Sequence, residues 1–381
     1  MNVSVPPARP APRLQRLMGY LEADPGNLNL IEDAVGAAFE EGDLVSAGAL
    51  LGRYAQIAPL PDRLRNLEGL IALRDGRTGE AGAIFEGLLA DNAADPALRF
   101  NLAWCKAVEG DNEAALTLLD DGAVLASPRA AVLKVHTLHR LGRLEDALAV
   151  GQALDERGAA GGELLGALSA VAMDLEDAPL AKTYAQRAGG NDEAQAALGM
   201  FALGEDRPEE ARAFFRNALA GRQDNARALL GDGLALMAMG HAGEARPRIE
   251  QAAELFGDHL GSWIAAGWAD LVCGDAKASR AKFEKALAID DTFAESHGAL
   301  AVIDLVEGNI ESAQRRTEIA QRLDRNCFSA ALARSMLFSA AGDERSAERV
   351  RNIAMNVPVG LGGRTLAQAL SAMGATARPR S

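Results

Sequence analysis

Apolar residues recur along this chain at three- and four-residue spacing in stretches of about a dozen residues, a period that predicts amphipathic helices. Each stretch closes on a glycine or acidic turn residue, and a second apolar-periodic stretch begins directly after the turn. A small residue follows the turn residue five positions later, and the pair recurs ten times: Gly42/Ala47, Gly76/Ala81, Gly110/Ala115, Gly142/Ala147, Glu176/Ala181, Asp206/Ala211, Gly240/Ala245, Gly274/Ser279, Gly308/Ala313 and Gly342/Ala347. Seven of the nine steps between them are 34 residues and the others are 32 and 30. A period of this size means stacked helix-turn-helix repeats, each too small to bury its own apolar face and each covered by its neighbours. The pattern therefore predicts an all-α solenoid of about ten repeats.

Within the repeat from Leu260 to Phe293, the first helix carries Trp263 and Gly267, the turn is Gly274-Asp275, and the second helix carries Phe283, Ala286 and Leu287. Small Gly267 and Ser279 let the paired helices approach while Trp263 and Phe283 fill the space beside them. The register runs past both ends. Leu14, Leu17, Tyr20 and Leu21 predict an N-terminal capping helix over 13–27, and the stretch from Thr365 to Met373 predicts a C-terminal capping helix over 362–374. Repeats 1–5 then occupy 28–191 and repeats 6–10 occupy 192–361, with a disordered Pro-rich segment at 1–12 and a flexible tail at 375–381. The short step from Glu176 to Asp206 removes residues around Gly189-Gly190, which predicts a tightened or kinked junction and a division of the array into two halves there.

Length counts repeats rather than domains in such a chain, and 4% aromatic residues leave little material for a β-rich core. A formal charge of −14 argues against general nucleic-acid binding, since an acidic protein gains nothing from releasing phosphate counterions. Cys105, Cys273 and Cys327 are far apart and in no metal-ligand spacing, which reads as buried spectator thiols in a reducing compartment. No apolar h-region or membrane-length apolar run is seen, so a soluble, cytoplasmic protein is expected. The alanine- and arginine-rich composition hints at a GC-rich bacterial genome.

No phosphate loop, nucleophile elbow, paired-cysteine site or HExxH helix occurs, so neither catalysis nor a cofactor is expected. His136 and His139 share a helix face at a spacing two metal ligands could use, but no third donor follows at matching spacing. The acidic residues Glu145-Asp146, Glu209-Glu210 and Glu311 open second helices, where a carboxylate stabilises exposed amides by about 0.3–1 kcal/mol. They read as caps.

Asn101-Leu102-Ala103, Gly110-Asp111 and Ala115 in one repeat, and Leu198-Gly199, Ala211, Phe215 and Ala218 in another, resemble the tetratricopeptide repeat, with its large residue, leucine, glycine, turn glycine, alanine, aromatic and alanine. The large first-helix position departs from that pattern at Arg65, Arg99 and His297, and the turn glycine is replaced by Glu176 and Asp206. The resemblance implies a right-handed superhelix whose first helices line a concave face, with ligand contacts at the second, fifth, ninth, twelfth and thirteenth positions of each repeat. Carried onto this chain, those positions give Arg63, Asn66, Arg74, Phe100, Trp104, Arg129, His136, His139 and Arg140 in the first half. In the second half they give Met200, Arg227, Leu230, Leu234, Met237, Ile264, Trp268, Val302, Leu305 and Met336. The first set offers arginine forks for carboxylates beside an aromatic pair, the second an apolar, methionine-bearing stripe. Leu234, Val302 and Leu305 are weighed rather as packing between first helices. The lysines that family members use to hold a C-terminal carboxylate are missing beside Asn66 and Asn101. The resemblance implies a non-catalytic adaptor or scaffold that binds a peptide or partner protein, or else the recognition subunit of a modifying, secretion or envelope-assembly complex. A homodimer formed through the tail or the apolar stripe is a further possibility.

Overall fold

The structure, a computed structural model, describes residues 13–355, 358–359 and 364–365. Two compact units follow one another along the chain, one within 1–159 and the other within 160–381.

The N-terminal unit opens with α1 (Arg13–Ala23), then pairs α2 (Leu28–Glu41) with α3 (Leu44–Ile57) and α4 (Asp62–Arg74) with α5 (Thr78–Asp91). Next, α6 (Pro96–Val108) is followed by two short helices, α7 (Asn112–Leu118) and α8 (Asp121–Ala126), and α9 (Pro128–Arg140) pairs with α10 (Leu144–Asp155). The C-terminal unit pairs α11 (Gly162–Asp174) with α12 (Ala178–Arg187), α13 (Asp192–Gly204) with α14 (Pro208–Gly221), and α15 (Ala226–Ala238) with α16 (Ala242–Phe256). It continues with α17 (Leu260–Val272) and α18 (Ala276–Ile289), α19 (Ala294–Val306) and α20 (Ile310–Leu323), and α21 (Phe328–Ala340) and α22 (Glu344–Met355). Ten helix pairs, with the third pair's second member broken, meet the expectation drawn from the period.

Local chemistry sets the ends of these helices. Asn27, Asp43, Asp95, Asp111 and Ser127 each accept a backbone N–H of the first turn they cap. Between paired helices the chain reverses through one left-handed residue, usually glycine, as at Gly76, where Arg77 N–H reaches Ala72 O at 2.8 Å. At two turns the same conformation is forced on side-chain-bearing residues, Glu176 (φ 59°) and Asp206 (φ 61°).

Packing inside the pairs rests on a large residue of the second helix filling the place a first-helix glycine leaves open. A Cβ at Gly69 would lie 2.7 Å from the Phe85 ring, at Gly199 2.5 Å from Phe215, and at Gly267 2.3 Å from Phe283. Phe85, Phe215 and Phe283 are completely buried, and Trp263 is nearly so, its Nε1–H donating to Gly257 O at 2.7 Å. Leu14, Leu17 and Leu21 of α1 pack with Ile31, Val35 and Leu50, so the first pair's apolar edge is covered.

Some features differ from the sequence reading. The second helix of the third pair breaks at Leu119-Asp120, because Asp120 turns extended (ψ 173°), caps Ala123 N–H at 2.8 Å and takes Arg99 at 2.6 Å. Along the chain the division between the two compact units falls at Ala159–Ala160, within the run Arg157-Gly158-Ala159-Ala160-Gly161-Gly162, rather than at Gly189-Gly190. The Gly189-Gly190 junction is tight instead: Gly166 of α11 lies so near Asn191 that a Cβ there would fall 1.9 Å from Oδ1. Near the C-terminus, β1 (Pro358–Val359) pairs antiparallel with β2 (Arg364–Thr365), so the helix expected over 362–374 is not helical at its start. Glycines at 360, 362 and 363 lower helix propensity there. The remainder of that helix, the Pro-rich segment 1–12 and the tail 375–381 lie outside the described residues.

Candidate interaction surface

The first helices of the N-terminal unit hold the arginines expected as forks, and most of them are engaged within the chain. Arg63 Nη1 lies 2.7 Å from Glu32 Oε1 of α2. Arg74, the last residue of α4, stacks 3.9 Å from the Phe39 ring centroid and donates to Phe39 O at 3.1 Å. Arg140, the last residue of α9, repeats the device by donating to Ala107 O of α6 at 3.2 Å. Both arginines thus reach the carbonyl end of the preceding first helix, where the helix dipole favours a cation. That contact ties neighbours together, and Arg74 and Arg140 still keep an exposed surface.

Trp104 is 47% exposed and leans on Phe100 with ring centroids 6.4 Å apart. Phe100 itself is half-buried among Ala103, Ala107, Ala130 and Leu133, which fixes the platform between α6 and α9. Arg129 on α9 is exposed and makes no ion pair among the described residues. Asn66 is half-buried with Oδ1 lacking a hydrogen-bond partner, and His136 and His139 are half-buried on α9.

The C-terminal unit presents a different surface. Met200, Met237, Trp268 and Met336 are half-buried, and Trp268 meets Phe283 edge-on with centroids 5.4 Å apart. Trp268 packs against two buried clusters, one of Ala301, Val302 and Ala333 and one that includes Leu236, Trp263 and Phe283, so it lies where the two apolar clusters adjoin. Val272 and Val306, at the ends of α17 and α19, are exposed. Ile264 is a correction: at 8% exposure it belongs to the core, because its helix position turns toward the cluster of Trp263 and Phe283. Val302 is likewise buried, and Arg227 is held by two hydrogen bonds to Asp174, at 3.0 and 3.2 Å.

The sequence reading missed a row of buried carboxylates. Asp232, Asp270 and Asp304 lie on the first helices α15, α17 and α19 and are at most 2% exposed. Arg212 Nε donates to Asp232 Oδ1 at 3.0 Å, and Arg248 Nη1 lies 2.9 Å from Oδ2 without the alignment of a hydrogen bond. Arg246 Nε approaches Asp270 Oδ1 at 2.5 Å. Asp304 takes Arg280 at 2.6 Å, Ser312 at 2.6 Å and Arg316 at 3.1 Å. The signal was present in the chain: Arg212, Arg246 and Arg280 recur every 34 residues, and Asp270 and Asp304 are the same distance apart.

These seams differ electrostatically. Burial is the largest influence on both carboxyls and pushes their pKa up; at Asp270 it prevails over Arg246. At Asp304 the hydrogen bonds from Arg280 and Ser312, with the charges of Arg280 and Arg316, outweigh burial and hold the carboxyl below its ordinary value. Burial raises the Cys105 thiol to about 11 and the Cys327 thiol to about 12, which keeps both protonated and unreactive. Cys273 departs from the expected burial and is exposed at the end of α17.

Among the described residues no cluster of His, Cys, Asp and Glu is arranged to hold a metal, and no helix is long and apolar enough to cross a membrane. A sequence model of the tetratricopeptide repeat matches residues 72–124, from the end of α4 into α8. No curated protein matches the chain. The crystal structure of the APC/C hetero-tetramer Cut9-Hcn1 is similar over 96% of this chain and 90% of that chain, at 12% identity and a TM-score of 0.50, a likeness of fold alone. Pseudomonas aeruginosa PilF is similar over 53% of this chain and 94% of its own, at 20% identity and a TM-score of 0.41. MamA is similar over 47% of this chain and 96% of its own, at 15% identity and a TM-score of 0.34.

Proposed function

From a chain built of tetratricopeptide repeats, we propose a non-catalytic scaffold that binds a peptide segment or partner protein along the faces of its first helices. The observation that carries this reading is Trp104: a large aromatic left 47% exposed against the Phe100 ring, where a solitary fold would gain by covering it. Around Trp268 a second, apolar surface contributes, its methionines able to repack against varied side chains. Such an interface gathers modest contacts from several repeats, with the aromatic and arginine anchors dominating.

Co-purification of the full chain from its native host, followed by mass spectrometry and titration of the recovered partner, tests the proposal. Binding weakened by Trp104→Ala or Trp268→Ala with the fold intact is the expected result. A partner whose affinity is the same for both variants and the wild type defeats the assignment of the surface.

A further inference from the structure

The shortened repeat carries a fastening found nowhere else in the sequence reading. Its step from Glu176 to Asp206 is 30 residues where most are 34, and the loss is taken by α12, 10 residues long where α14, α18 and α20 have 14. The helix that follows, α13, packs with α11 on one side and α15 on the other, and carries Ala196, Ala197, Gly199 and Ala202. Side chains this small let its neighbours close around it.

Across this thin helix Arg227, at the start of α15, reaches Asp174, the last residue of α11. Its Nη2 donates to both carboxylate oxygens, at 3.0 and 3.2 Å, and its Nη1 donates to Met173 Sδ at 3.8 Å. Arg63, Arg74 and Arg140 each reach the adjacent first helix, whereas Arg227 reaches past one. Both charges also stand against their own helix dipoles, a cation at a helix start and an anion at a helix end. Each side chain is therefore poorly placed alone, and their meeting offsets this. We infer that Arg227 and Asp174 form a releasable strap that holds the C-terminal unit wound about α13, and that parting them lets α11 and α15 swing apart.

The strap is releasable because it is wet and lies outside the packed seams. Its two side chains are 25% and 38% exposed, so such a pair biases the unit by no more than about fivefold. The backbones of α11 and α15 pack chiefly on α13, so the pair parts without opening a core, unlike the sealed Asp232, Asp270 and Asp304. A charged group that claims either side chain shifts the balance toward the open form.

Double electron–electron resonance on the full chain tests this. Nitroxides are placed on Glu176→Cys, just past α11, and Gln223→Cys, just before α15, both exposed positions. A Cys273→Ser background leaves the buried Cys105 and Cys327 thiols unlabelled. With the strap intact one distance is expected, and Asp174→Ala and Arg227→Met are each expected to add a population longer by about 2 Å or more. The reversed pair, Asp174→Arg with Arg227→Asp, sets both charges along their helix dipoles and is expected to restore the single distance, which a lost packing contact would not do. Circular dichroism checks that each variant keeps its helices. An unchanged distance in both single variants, or a reversed pair that opens as they do, overturns the inference. The scaffold reading is judged by partner affinity and stands in either case.

Discussion

The two units knit the same repeat with opposite placements of charge. In the N-terminal unit, arginines lie on the first-helix face and fasten neighbouring first helices there, Arg63 to Glu32, Arg74 to Phe39 and Arg140 to Ala107. In the C-terminal unit, apart from Arg227 on Asp174, the ions are drawn inward, to seams where second-helix arginines meet Asp232, Asp270 and Asp304, and the first-helix face is left apolar around Trp268. The lesson is that the helix-pair period constrains small residues and turns, and leaves the polar fastening free to move. Where that fastening lies determines what a unit can show to a partner.

The sharpest way to break this comparison is to remove one fastening from each unit. Asp304→Ala removes the buried carboxylate that Arg316 and Ser312 share and leaves Arg280 to Glu307 and Glu284, and is expected to cost about 3 kcal/mol. Arg74→Ala, at an exposed contact, is expected to cost under about 1 kcal/mol. Hydrogen exchange read separately over α18–α20 and α2–α4 checks both, and equal effects would dissolve the distinction.

A smaller contrast is expected between the tryptophans. Trp268→Ala empties a wedge between packed helices and is expected to destabilise by about 2 kcal/mol, whereas Trp104→Ala removes a half-exposed ring and costs under about 1 kcal/mol. Urea unfolding followed by circular dichroism ranks them. The reverse order would make Trp104 the packing residue and Trp268 the free one.

Smaller again is the effect of the turns. Glu176→Gly and Asp206→Gly relieve left-handed conformations that the N-terminal unit assigns to glycine, and each is expected to stabilise by about 1 kcal/mol. A lowered midpoint in either variant would mean that those side chains hold contacts worth more than the strain.

The smallest expected effect is a difference in acid response between the buried seams. Asp304 is held below the ordinary value, so its contribution is complete above the unfolded pKa of about 3.9 and is lost as pH falls through the folded one. Asp270 is raised, so its charge costs stability above its folded pKa, and acid removes that cost. Asp304→Asn is therefore expected to flatten the acid limb of stability and Asp270→Asn to steepen it, as thermal melts between about pH 3 and pH 6 would record.

Much of this fold was legible because its determinants are local and periodic. The turn glycines, the small partner five residues on, and the Gly267–Phe283 complementarity all follow from sterics that act within one repeat. The broken second helix at Asp120 was not legible, since a single aspartate had to choose between continuing a helix and capping a new one with Arg99 as partner. Nor was the burial of Asp232, Asp270 and Asp304, which depends on arginines supplied by other helices. The exposure of Trp104 and Arg129 could be read from register alone, because an exposed position needs no partner. Ile264 could not, because the fifth position faces outward in α9 at half-buried Val132 but is closed over in α17.

Hydrogen exchange of the full chain, free and saturated with its co-purified partner, tests the central claim most directly. Slowed exchange concentrated in the first helices, with α4, α6 and α9 or α15, α17 and α19 foremost, is the predicted result. Protection confined to the second helices, with the first helices unchanged, would contradict it.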